Sequence, residues 1–95
     1  MELRVLKYFL VIAREENITR AASLLHVTQP TLSRQLMQLE EELGVKLFHR
    51  SKCRIILTDD GILLRRRAQE IVDLANKTEQ EFQRQEELSG EISIG

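Results

Sequence analysis

Ninety-five residues, a net charge of −1 and a single cysteine limit what this chain can be. The length suits one small domain, or one domain with an appendage, and a lone cysteine excludes an intramolecular disulfide framework and fits a reducing compartment. With two histidines far apart in sequence, no metal site or cofactor is expected, and the opening MELRVLKYFLVIAR is too broken by charge for a signal peptide or membrane span. A cytoplasmic protein without membrane contact is the expectation.

The distribution of charge is more informative than its sum. Residues 1–58 carry nine Lys/Arg against six Asp/Glu, and residues 59–95 carry five against nine. Asn17–Leu39 and Leu43–Thr58 contain no acidic residue, and the second gap holds Lys46, Arg50, Lys52 and Arg54. Such asymmetry suits a polyanion-facing first half. A merely solvated basic surface would carry the same charges.

Helical spacing opens the chain. Leu3, Leu6, Phe9, Leu10 and Ala13 form one apolar stripe and Val5, Tyr8 and Ile12 an adjacent one, so this helix buries more than one side. REEN at 14–17 ends it, and Asn17 or Thr19 can cap a short second helix over 19–25. A third helix is expected from Gln29 to Leu43, with Leu32, Leu36, Leu39 and Leu43 on its apolar row and Gly44 as its stop. Next, VKLFHR and RIILT, separated by SKC, read as a β-hairpin. TDDG then sets a capping Thr or Asp before a helix free of breakers from Ile62 to Ser89. Within it Leu64, Ala68, Ile71, Ala75, Thr78 and Phe82 recur at heptad spacing. Such a long helix on so small a domain points to a homodimer through this seam; the alternative is an amphipathic helix folded back on the core. The closing GEISIG is expected to break the helix and begin a strand, as though a second domain started there. The division expected is therefore 1–58, 59–89 and 90–95.

TRAASLLHVTQPTLSRQL has the layout of a helix-turn-helix. Ala21 and Ala22 allow close helix approach, and Leu25, Val27 and Leu32 supply apolar contacts. His26 falls at the turn, where a left-handed backbone is needed and histidine is one of the few non-glycine residues that adopts it with some frequency. Thr28 caps the next helix, and Pro30, the only proline, falls in its first turn, where it removes no intrahelical hydrogen bond. That turn offers free N–H groups to a phosphate. Gln29 suits adenine, Arg34 guanine, Ser33 a base or phosphate, and Pro30 with the Thr31 methyl suits a thymine methyl. Recognition helices read bases from their N-terminal residues, where these lie. A solvated helix face is the bland alternative, and a protein-interaction scaffold is a second class of function. An enzyme finds no support: Ser33 lacks an evident base, and no carboxylate pair or glycine-rich phosphate loop is present.

AASLLHVTQPTLSRQLMQLEEELGVKLFHR…LTDDG closely resembles the N-terminal region of LysR-type transcriptional regulators, and the resemblance extends over about residues 1–95. It implies a mainly α winged helix-turn-helix, made of three helices and a β-hairpin wing, followed by a long dimerisation helix. It further implies binding of double-stranded DNA at an imperfect palindromic operator, with the helix at about 29–43 in the major groove and the wing at 47–57 by the minor groove. A tetramer is possible in a full-length protein, whose further domain would bind a small-molecule effector. Positions matching the family's DNA contacts are Thr28, Gln29, Pro30, Thr31, Ser33 and Arg34, with wing residues around Arg50, Lys52 and Arg54. Two positions depart from the family pattern. Cys53 stands where many members carry a basic or polar residue, which leaves the minor-groove contact to Lys52 or Arg54. Asp60 replaces the usual alanine before glycine. Basic neighbours would lower the Cys53 pKa as in a redox sensor, although a lone loop thiol is more often incidental.

Overall fold

The computed structural model describes the backbone of residues 1–51 and 54–94 and the side chains of 1–51 and 54–84. Helix α1 spans Leu3–Glu15, α2 Ile18–Leu25 and α3 Gln29–Leu43; strands β1, Phe48–Arg50, and β2, Ile55–Leu57, follow, and then helix α4, Asp59–Ile94. Both stripes of α1 are used. Val5, Leu6, Phe9, Ile12 and Ala13 are buried, and α1 packs against α2, α3, α4 and β2. Behind α3 the core takes Leu32, Leu36 and Leu39, while Leu43, the last of that apolar row, is 39% exposed. The Phe9 and Phe48 rings meet at 5.3 Å between centroids with a 53° tilt, so the hairpin closes over α1 through an aromatic pair.

Local chemistry ends and starts the elements. Asn17 caps α2, its side chain accepting from the Arg20 N–H at 3.0 Å. His26 adopts φ 58° and ψ 40°, the left-handed turn expected of it, and Gly44 ends α3 at φ 71°. Glu16 is also left-handed, at φ 54°. The two strands pair antiparallel, Phe48 with Leu57 and Arg50 with Ile55. Three bonds fix this wing to the helices. The Leu47 N–H donates to Glu40 Oε2 at 2.7 Å, the Ile55 N–H to the Glu16 carbonyl at 3.2 Å, and the Thr58 N–H to the Leu47 carbonyl at 3.0 Å. Thr58, rather than either aspartate, caps α4: its hydroxyl accepts from the Gly61 N–H at 3.0 Å and donates to the Lys46 carbonyl at 2.6 Å.

Helix α4 departs from expectation twice. Leu64 and Ala68, assigned by spacing to an intermolecular seam, are 9% and 0% exposed within this chain, together with Val72 at 8%. The first half of α4 thus does fold back on the core, chiefly along α1. Ala75 is half-buried, and Ile71, Thr78 and Phe82 are exposed. The second departure is at the end, where the helix runs through Gly90 to Ile94 instead of giving way to a strand. A glycine inside a helix costs only about 1 kcal/mol. A strand needs a hydrogen-bonded neighbour, and among the described residues nothing pairs with 91–94; helical bonds within the segment satisfy its backbone instead.

Candidate nucleic-acid interface

The α2–α3 corner is set by small residues and a turn. Ala21 and Ala22 are buried, and the Val27 N–H donates to the Ala22 carbonyl at 3.1 Å, so the chain reverses tightly about His26. Thr28 then caps α3. Its Oγ1 accepts from the Thr31 N–H at 3.3 Å and donates to Thr31 Oγ1 at 2.8 Å. Pro30 lies in the first turn, where the missing N–H costs no bond. With Leu32, Leu36 and Leu39 turned into the core, the helix presents Thr28, Gln29, Pro30, Thr31 and Arg34 to solvent, and Ser33 is half-buried beside them. The first turn of α3 contains no acidic residue. Arg34 makes no ion pair or side-chain hydrogen bond among the described residues.

The wing stands beside this turn. A shallow groove is lined by Asn17, Ile18, Thr19, Arg50, Ser51, Arg54 and Ile55, so the arginines flanking the turn of the hairpin face the start of α2. Thr19, on the rim of that groove, also donates its hydroxyl to Gln29 Oε1 at 3.1 Å. The start of α2, the start of α3 and the turn end of the wing are therefore contiguous. Arg50 is exposed at the end of β1 and makes no ion pair among the described residues. Arg54 is exposed too, but its guanidinium binds Glu16 Oε1 at 2.9 Å. Lys52 and Cys53 lie outside the described residues.

Sequence reasoning grouped the α3 residues with Arg50 and Arg54 and missed Thr19, considered only as a cap. Nothing in the local pattern signals its bond, which spans ten positions and forms only once α2 and α3 are docked. The exposed α4 residues, Ile71 at 38%, Leu74 at 64% and Phe82 at 63%, lie on the long helix, apart from this surface. Leu74 was missed as well, although its three- and four-residue spacing to Ile71 and Thr78 would have found it. Groups of three or more potential metal ligands do not occur among the described residues. No described helix is long and apolar enough to cross a membrane.

Comparison with known proteins places this arrangement. Residues 3–62 match the family described as bacterial regulatory helix-turn-helix protein, lysR family. The chain is 46% identical over 97 residues to the HTH-type transcriptional regulator BsdA of Bacillus subtilis, covering all of this chain and 33% of that protein. It thus spans about a third of that relative's length. Among solved structures, the CbnR DNA-binding domain in complex with DNA matches with a TM-score of 0.84 and 41% identity, over 87% of this chain and 95% of that one. The BenM DNA-binding domain on catB site 1 DNA matches with a TM-score of 0.85 and 36% identity, over 88% and 93% of the two chains.

Proposed function

This chain belongs to the LysR family of bacterial helix-turn-helix regulators and is the DNA-binding domain of a transcriptional regulator rather than an enzyme, and from that premise we propose how it reads its operator. Helix α3 enters the major groove by its first turn. Gln29, Ser33 and Arg34 reach base edges, Pro30 and the Thr31 methyl supply apolar contact, and the N–H groups of Thr28 and Gln29, which the capping bond to Thr31 does not use, are offered to a phosphate. The wing follows the backbone toward the minor groove. Arg50 is its available cation, because Arg54 must first give up Glu16, and Lys52 remains a candidate by its position in sequence. Residues 59–89 act as the linker through which two copies pair. The paired domains then face successive major grooves of an imperfect palindrome, about 34 Å apart or a multiple of it. A full-length regulator would add an effector-binding domain for a small molecule, and could assemble further to a tetramer. Its place of action is the cytoplasm, at the nucleoid.

The observation that carries the base-reading role is the acid-free, solvent-facing first turn of α3, backed by three buried leucines. Arg34→Ala tests it by titration against a selected operator and a scrambled duplex of equal length. Loss of one guanine contact should weaken operator binding by about 1–3 kcal/mol per protomer, with a smaller loss on the scrambled duplex. Equal losses on both duplexes would reduce Arg34 to a phosphate contact.

A further inference from the structure

We propose that Glu16 limits the grip of this domain on DNA by competing with a backbone phosphate for Arg54. The inference rests on the reading above in which the wing follows the DNA backbone. Arg54 Nη2 donates to Glu16 Oε1 at 2.9 Å, and the direction is fixed because a guanidinium only donates and an ionised carboxylate only accepts. Arg54 shares the groove beside the start of α2 with Arg50 and Ser51. That groove meets the first turn of α3 where Thr19 Oγ1 lies 3.1 Å from Gln29 Oε1. Leu43–Thr58, which includes the wing, has no acidic residue of its own, and Glu16 brings one to Arg54. The adjacent carboxylate, Glu15, is taken by Arg14 at 2.8 Å.

The backbone holds Glu16 in place independently of that ion pair. Its N–H donates to the Ile12 carbonyl at 2.9 Å, and its carbonyl accepts from the Ile55 N–H at 3.2 Å. A carboxylate and a phosphate ask for the same guanidinium donors. When a phosphate takes Arg54, the ion pair is lost and an unpaired carboxylate is left facing a polyanion, and each effect subtracts from the attraction Arg54 supplies. Both side chains are well exposed, at 62% for Arg54 and 39% for Glu16, so water screens the pair and the competition amounts to about two- to fivefold in affinity. Arg50 has no such partner among the described residues and lends its charge in full. Phosphate contacts carry no sequence information, so Glu16 lowers binding to operator and non-operator DNA alike. It is a positioning residue in this scheme and acts on DNA through Arg54.

The test makes Glu16→Gln and Glu16→Asn in the unaltered chain and in Arg54→Ala and Arg50→Ala backgrounds. Each variant is titrated against a selected operator and a scrambled duplex at low and moderate salt. Glutamine keeps the shape and an acceptor while removing the charge, and asparagine removes the charge and suits the left-handed backbone at φ 54°. Both should tighten binding to both duplexes by about two- to fivefold at low salt. The gain should shrink at moderate salt as screening weakens both effects, so the variants show the steeper salt slope. It should persist in Arg50→Ala and largely disappear in Arg54→Ala. Weaker binding on loss of the carboxylate would make Glu16 a brace for Arg54 and overturn the proposal, as would unchanged affinity. An undiminished gain in Arg54→Ala would reduce Glu16 to general repulsion, and a gain confined to the operator would make Arg54 a base reader; either result overturns the phosphate exchange. If Arg50→Ala and Arg54→Ala each left binding unchanged, the wing's place on DNA would fall along with the proposal, whereas a loss in Arg50→Ala keeps that reading whatever Glu16 does.

Discussion

A Cβ at Gly61 would overlap the Leu47 carbonyl oxygen and sit 2.8 Å from Leu57 Cδ2. That carbonyl accepts the Thr58 N–H at 3.0 Å, so it cannot withdraw without breaking the junction between wing and long helix. Alanine would gain up to about 1 kcal/mol of helix propensity over glycine, while overpacking against fixed backbone costs about 1–3 kcal/mol. The clash wins, and Gly61→Ala should lower the melting midpoint by several degrees, as a loss of about 1 kcal/mol does in a domain of this size. An unchanged or raised midpoint would show that the long helix can lift away from Leu47. At this scale legibility depended on where the constraint originates. His26 was readable as a left-handed turn because the need lies in the sequence between two helices. Glu16 was not: its left-handed backbone accompanies bonds to the wing, from the Ile55 N–H to its carbonyl and from Arg54 to its carboxylate, and neither is visible along the chain.

The elements divide in the same way. Helix α3 was legible from end to end, since Thr28, Pro30, the leucine row and Gly44 are all local signals. For α4 the period was legible and the partner was not. At 3.6 residues per turn a heptad series drifts around the helix, and the series Leu64, Ala68, Ile71, Ala75, Thr78, Phe82 runs along the border between two stripes. Gly61, Leu64, Ala68 and Val72 face this chain's own core. Ile71, Leu74, Thr78 and Phe82 lie about a quarter of the way around and face solvent. Only the second stripe is available to a partner, so substitutions on the two should separate folding from association. Ala68→Asp buries a charge at a position with 0% exposure and should unfold the domain. Ile71→Asp should leave the melt of the unpaired domain intact and yield monomers by sedimentation at micromolar concentration. A dimer that survives Ile71→Asp would move the proposed interface elsewhere.

At the scale of the molecule, shape and charge agree. A compact chain of this length would have a radius of gyration of about 12–13 Å; the value here is 17.1 Å, with extents of 62 × 25 × 19 Å, because α4 continues beyond the head. Net charge divides along the sequence, +3 over residues 1–58 and −4 over residues 59–95. A chain with net charge −1 would gain little from a uniform charge distribution near DNA; the surplus of nine Lys/Arg over six Asp/Glu in residues 1–58 supplies the attraction. Salt dependence then reports how many heads engage. The logarithm of affinity falls linearly with the logarithm of salt concentration, with a slope near −0.9 per phosphate neutralised. On a palindromic duplex the unaltered chain should therefore show about twice the slope of monomeric Ile71→Asp on a single half-site. The ratio cancels any error in counting contacts per head, since both experiments use the same head. A ratio near one would mean that a single head carries the binding, and would remove the two-fold geometry from the proposed operator complex while leaving the base-reading face of α3 as argued.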